Sequence, residues 1–271
     1  MALLAVYAAA LAAVLVLAPE GLRTSADPNA ATVPIWVAIL PSVVGIALVL
    51  LLPRRATPMR PEIVDERRFT RSTALLVALA VLYPLVCIVF ALGPEDTILA
   101  KFLLMLVVPA IVVTVLRPAV RIPAVPGAWR WWAPGVVILV WVLLSQLAPW
   151  NPRFELGDHD PGFVILAAVA TAITAGIGEE LFYRRWLQTR LEARLDPWVA
   201  IGLASLAFAL MHLATHRSGD LVLDIATAIT FQGAFGVFVG VMWMRYRNLA
   251  AIILVHLIIN GWGVVAALLA R

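Results

Sequence analysis

The chain has 271 residues, of which 63% are hydrophobic and 13% charged. Soluble domains are about 45–50% apolar and about 25% charged. A soluble globular enzyme, a disordered chain and a disulfide-rich secreted module are therefore excluded, and a mean hydropathy of +0.98 calls for lipid as the solvent.

Nine runs are free of Asp, Glu, Lys and Arg: 1–19, 28–53, 72–94, 102–116, 131–152, 161–178, 197–216, 225–244 and 248–270. A spanning helix needs about 17–25 apolar residues. Only 102–116 falls short; residues 97–100 can extend it, with Lys101 snorkelling to the interface. The prediction is an all-α, polytopic membrane helical bundle of about nine spans. Residues 1–19 lack the basic start of a secretory signal and read as a retained first span. The longest charged connectors, 54–71 and 179–196, are too short for a soluble catalytic domain, so chemistry must occur in or at the membrane.

The net charge of +4 is informative by position. Fifteen of the 20 basic residues follow spans 2, 4, 6 and 8: Arg54, Arg55, Arg60, Arg67, Arg68 and Arg71; Arg117, Arg121 and Arg130; Arg184, Arg185, Arg190 and Arg194; Arg245 and Arg247. Arg23, Lys101, Arg153, Arg217 and Arg271 fall on the other side. The positive-inside rule then predicts a cell-membrane protein with a cytoplasmic N-terminus and an outer C-terminus. No nucleic-acid partner is needed to explain the basic pI.

The Arg- and Pro-rich connector divides a two-span extension, 1–71, from a seven-span remainder, 72–271. Pro41, Pro84 and Pro109 interrupt spans 2, 3 and 4 and predict kinks. Gly233, Gly236 and Gly240 give span 8 a smooth packing face. Cys87 is the single cysteine; it excludes an intrachain disulfide and reads as a small packing residue.

Candidates for chemistry concentrate in spans 6, 7 and 9. In Gly178-Glu179-Glu180-Leu181-Phe182-Tyr183-Arg184, Glu180 and Arg184 are four apart and can pair on one helix face. Glu179 points elsewhere, and a carboxylate in an apolar pocket suits a general base; ordinary charges at a helix exit are the competing explanation. Late in span 7 stand Phe208 and His212, with His216 a turn further. Span 9 carries His256 and Asn260, four apart inside an apolar run, where a helix–helix hydrogen bond is the plainer role. Together these side chains could activate water and stabilise an oxyanion, with no Ser or Cys nucleophile.

Other protease signatures are missing. There is no His-Glu-x-x-His, since Leu213 follows His212, no Gly-x-Ser-x-Gly and no Gly-x-Gly-Asp. Asp220 and Asp224 read as interface charges, and Asp158-His159-Asp160 as a solvated loop.

At Glu179-Glu180-x-x-x-Arg184, Phe208-x-x-x-His212 and His256-x-x-x-Asn260 the sequence resembles the CPBP family: the CAAX proteases and bacteriocin-processing enzymes, also called Abi. Each motif alone is weak; three in order on membrane helices are a strong signal. The resemblance covers about residues 161–265. It implies a CAAX-protease-like core of seven or eight helices and an intramembrane endopeptidase acting on a membrane-associated, in some relatives prenylated, peptide. It also implies that Glu179 activates water with help from His212, that Glu180 and Arg184 support it, and that His256 and Asn260 bind the oxyanion. No cofactor is expected; two His and a Glu would also suit zinc, which the water mechanism does not require. A transporter lined by His, Glu and Asn and a non-catalytic scaffold or immunity protein on the same fold are the alternatives.

Helical rise poses a difficulty. At about 1.5 Å per residue, Glu179 lies about 28 Å from Asp160, His212 about 24 Å from Asp196 and His256 about 13 Å from Arg247, so the three do not meet. The expected solution is a helix running on through Glu179–Leu191, with the site in the cytoplasmic half of the membrane.

Overall fold

A computed structural model describes residues 2–23, 31–53, 59–115, 119–152, 160–214 and 218–270. Among them are nine helices: α1 (Ala2–Leu17), α2 (Ile35–Leu51), α3 (Glu66–Val89), α4 (Glu95–Val115), α5 (Trp129–Leu147), α6 (Pro161–Arg194), α7 (Pro197–Met211), α8 (Leu221–Tyr246) and α9 (Leu249–Leu269). Six are long and apolar enough to cross a membrane; α1, α2 and α7 are apolar but shorter. The protein is a multi-pass, all-α membrane bundle.

Polar residues at the edges of the runs start five of the helices. Asp65, Asp160, Asp196, Asp220 and Asn248 each cap the helix that follows, accepting from backbone N–H groups two or three residues on. These are groups that helix geometry otherwise leaves orphaned. Asp224 accepts from the Ser218 N–H. Asp158, His159 and His216 lie outside the described residues.

Contacts between connectors show which helix ends lie together. Glu62–Ile63, before α3, pairs antiparallel with Val120–Arg121, after α4. Arg194 at the end of α6 pairs with Glu66 at the start of α3. Arg247, between α8 and α9, pairs with Glu192 and donates to the Met59 carbonyl, and Arg245 donates to that of Pro53. The described basic connectors after α2, α4, α6 and α8 thus converge on one side, as the charge partition requires. Leu22–Arg23 and Thr32–Val33 form a separate ribbon between α1 and α2.

α8 is the most enclosed of the six long helices, because its glycines admit neighbours at close range. A Cβ at Gly236 would stand 3.1 Å from Ser205 and 3.2 Å from Phe208 on α7; at Gly240 it would stand 3.0 Å from Gln188 on α6. α2 reaches α8 by the same device, Gly45 against the Phe238 ring. α1 packs along the first half of α8 and touches α7.

The prolines act unequally. α2 and α3 continue through Pro41 and Pro84. In α4 the turns widen to the i→i+5 form over Phe102–Val107, just before Pro109. Proline lacks the N–H that the Met105 carbonyl would accept, and its ring crowds that carbonyl. α6 has the same wide winding over Ala172–Gln188. Wider turns hold more residues per unit length, so α6 rises less than a regular helix would. This removes the depth difficulty. Glu192 meets Arg247 and, thirteen residues back, Glu179 meets His256, nine residues beyond Arg247.

Candidate active site

The helix through Glu179–Leu191 is continuous, and it buries Glu179, Glu180 and Arg184 completely. Arg184 Nε lies 3.3 Å from Glu180 Oε2, the intrahelical pair expected from the four-residue spacing. The guanidinium sits 4.3 Å over the Phe208 ring and donates to the Gly236 carbonyl at 3.5 Å. That carbonyl and ring come from α8 and α7, so the pair is held by three helices.

The other oxygen of Glu180 fixes His256. His256 Nδ1 lies 2.6 Å from Glu180 Oε1. A carboxylate paired with Arg184 can only accept, so Nδ1 carries the proton. Nε2 then points at Glu179, 3.7 Å from Oε2. That is too long for a hydrogen bond and too short to hold a water in line between the two atoms. Among the described residues Glu179 Oε2 accepts no hydrogen bond.

His212 ends α7 with its Nδ1 2.9 Å from the Phe208 carbonyl. A carbonyl only accepts, so this nitrogen also carries the proton, and Nε2 is the acceptor of the ring. The His212 ring packs edge-on to Phe208, 4.9 Å between centroids, and lies within electrostatic reach of Glu179. Phe208 also packs at 6.0 Å from His256. The Phe208-x-x-x-His212 spacing therefore builds a wall behind both imidazoles.

Asn260, one turn beyond His256, is exposed. It lines a groove between α6 and α9 with Phe163, Val164, Thr171 and Val264. The two helices approach closely where Gly176 faces Leu257.

Two contributors were hidden in the sequence. Lys101 does not snorkel away from the bundle: its Nζ donates to Glu179 Oε1 at 2.7 Å, and its side chain is 17% exposed. A lone lysine at the edge of a run is a common interface signal, and nothing local distinguishes this one. The second is Tyr7 on α1. It packs against Gly233, donates to the Gly202 carbonyl at 3.4 Å, and lies within electrostatic reach of Arg184. The N-terminal extension thus reaches the back of the site.

Among the described residues no three His, Cys, Asp or Glu side chains are grouped to hold a metal ion. The chain matches neither a curated protein nor a solved structure. Residues 161–262, α6 to the middle of α9, match the sequence model of the family described as Type II CAAX prenyl endopeptidase Rce1-like. The Glu179–Glu180–Arg184, Phe208–His212 and His256–Asn260 motifs all lie inside that matched segment, which is where the chain is similar to the CAAX-protease family.

Proposed function

We propose that the protein is an intramembrane endopeptidase that cleaves a membrane-associated peptide with water activated by Glu179. The supporting observation is the Glu179 carboxylate: buried, held at Oε1 by Lys101, and open at Oε2 toward His256 Nε2 across 3.7 Å. The reaction brings one water to this unfilled acceptor. Glu179 Oε2 accepts its proton as the oxygen attacks the scissile carbonyl, and the His212 Nε2 lone pair is the second acceptor. Negative charge develops on the carbonyl oxygen. The exposed Asn260 amide donates to that oxyanion, and His256, its Nδ1–H held by Glu180, lines the site beside Glu179 Oε2. The proton on Glu179 then passes to the leaving amine. Glu180 and Arg184 hold His256 in place.

The groove lined by Phe163, Val164, Thr171 and Asn260 suits an apolar peptide or a lipidated one entering from the bilayer. By the charge partition, the basic side is cytoplasmic and the C-terminus lies outside. Counting along α9 from Arg247, His256 is about 13 Å from the basic end, in the cytoplasmic half of a bilayer core about 30 Å thick. The reaction uses no metal.

The test is cleavage of a panel of membrane-anchored peptides, with and without a prenyl chain, by purified protein in liposomes. Wild type should cleave with new termini readable by mass spectrometry, and chelators should leave the rate unchanged. Glu179→Gln should leave every peptide whole. Equal cleavage by that variant would remove Glu179 from the mechanism. A wild type that cleaves nothing, with a cellular phenotype that survives Glu179→Gln, would support a scaffold instead.

A further inference from the structure

The site holds two carboxylates, Glu179 and Glu180, and two permanent cations, Arg184 and Lys101. Arg184 is committed to Glu180. The groups facing Glu179 are Lys101 from α4, His256 from α9, His212 from α7, Tyr83 from α3, and Tyr183 with Arg184 from its own helix. Phenols are neutral at pH 7, and an imidazole that is to accept a proton must be neutral too. Lys101 is then the one permanent cation among them that hydrogen-bonds Glu179.

α4 is pinned on both sides of this lysine. The Tyr83 hydroxyl donates to the Thr97 carbonyl at 3.5 Å, one turn before it. The Tyr183 hydroxyl donates to the Met105 sulfur at 3.8 Å, one turn after it. The wide turns of Phe102–Val107, set by Pro109, begin at the next residue. The contact is therefore built in by three helices; a flexible side chain that happened to fall nearby would lack these ties.

We propose that Lys101 is a positioning residue of this site: its ammonium holds Glu179 ionised inside the bundle and fixes Oε1, so that Oε2 faces the water beside His256. Without the lysine, and with both imidazoles neutral, the buried site carries one excess negative charge. The least costly response is for Glu179 to take up a proton, and a protonated carboxyl is no base. Lys101 lies outside the segment that matches the protease family, so the matched segment is incomplete without α4.

The kinetic part of the test rests on the peptidase reading; the spectroscopic part does not. Lys101→Met, Lys101→Arg and the double variant Lys101→Met with Glu179→Gln are compared with wild type in liposomes. The double variant leaves no unpaired charge, which protects folding. Infrared spectra should show a protonated-carboxyl band in Lys101→Met that is absent from the double variant and from wild type. Cleavage by Lys101→Met should fall about a hundredfold at pH 7, and the acid limb of its rate profile should move up by at least about one pH unit. Lys101→Arg should restore the wild-type limb. A Lys101→Met protein with no new band and an unmoved acid limb overturns the proposal. If wild type cleaves nothing, the peptidase reading fails and the infrared band alone decides the role of Lys101.

Discussion

Helix α6 buries glutamates at two levels, Glu192 at one and the adjacent Glu179 and Glu180 at the other, and Glu179 differs from Glu192 in one respect. At the basic end, Glu192 is saturated: Oε1 accepts from Gln188 Nε2 at 2.7 Å and Oε2 from Arg247. Around it Gln188 also donates to the Gly240 carbonyl, Trp243 to the Thr189 hydroxyl and Arg190 to the Ser72 hydroxyl. Thirteen residues earlier, Glu179 is as deeply buried, yet one of its oxygens accepts nothing. Burial of a charge therefore does not mark chemistry in this bundle. An acceptor beside imidazoles with neither a hydrogen bond nor an arginine against it does; Glu180 Oε2 also accepts no hydrogen bond, but it faces Arg184 Nε at 3.3 Å.

The comparison is broken most directly by removing the charge at each level. Glu179→Gln should lower cleavage by about 10²–10⁴, at a smaller stability cost than loss of Glu192, because the Lys101 it leaves unpaired is 17% exposed and can turn toward water. Retained cleavage would make the two glutamates equivalent. Glu192→Ala should do the reverse. It leaves Arg247 buried without its counter-ion, a loss of about 3–5 kcal/mol of stability, visible as a lower denaturation midpoint, with the rate per folded molecule preserved.

Smaller effects sharpen the boundary between the levels. A Cβ at Gly176 would stand 2.4 Å from Leu257, next to His256, whereas one at Gly135 would meet nothing within 4 Å. Gly176→Ala should cost about 1–3 kcal/mol and slow cleavage by moving His256 from Glu179; Gly135→Ala should do neither. The smallest change is Tyr7→Phe, which removes a 3.4 Å hydrogen bond and should cost about 1 kcal/mol. Its kinetic effect, measured at saturating peptide, tests whether α1 serves the site or only packs against it.

Much of the bundle was legible because lipid imposes a coarse code. The run at 35–51 within 28–53, the run at 249–269 within 248–270 and the capping aspartates between runs all follow from length, charge and helix-end chemistry. Within the site, Glu180–Arg184 was legible because both residues lie on one helix at a spacing that forces them together. The extension of α6 through Glu179–Leu191 followed from the need to bring three motifs to one depth. The wide winding that completes that fit has no comparable sequence signal, because it depends on how α4, α7 and α9 press on α6.

Lys101 shows most clearly where reading along the chain stops. At position 101 a lysine beside an apolar run has the same local signature whether it snorkels to the interface or pairs across the bundle, and 78 residues separate it from Glu179. Tyr7, 177 residues from Arg184, is hidden for the same reason. By itself the sequence determined the helices, the side on which the basic connectors gather and the three motifs that carry the family resemblance, since each depends on local periodicity, length or charge. Only the tertiary structure decided which carboxylate stays open, which imidazole faces it and which cation neutralises it. Those choices depend on ångström-scale distances between helices, and in a bundle these are set by small residues and wide turns far apart in the chain.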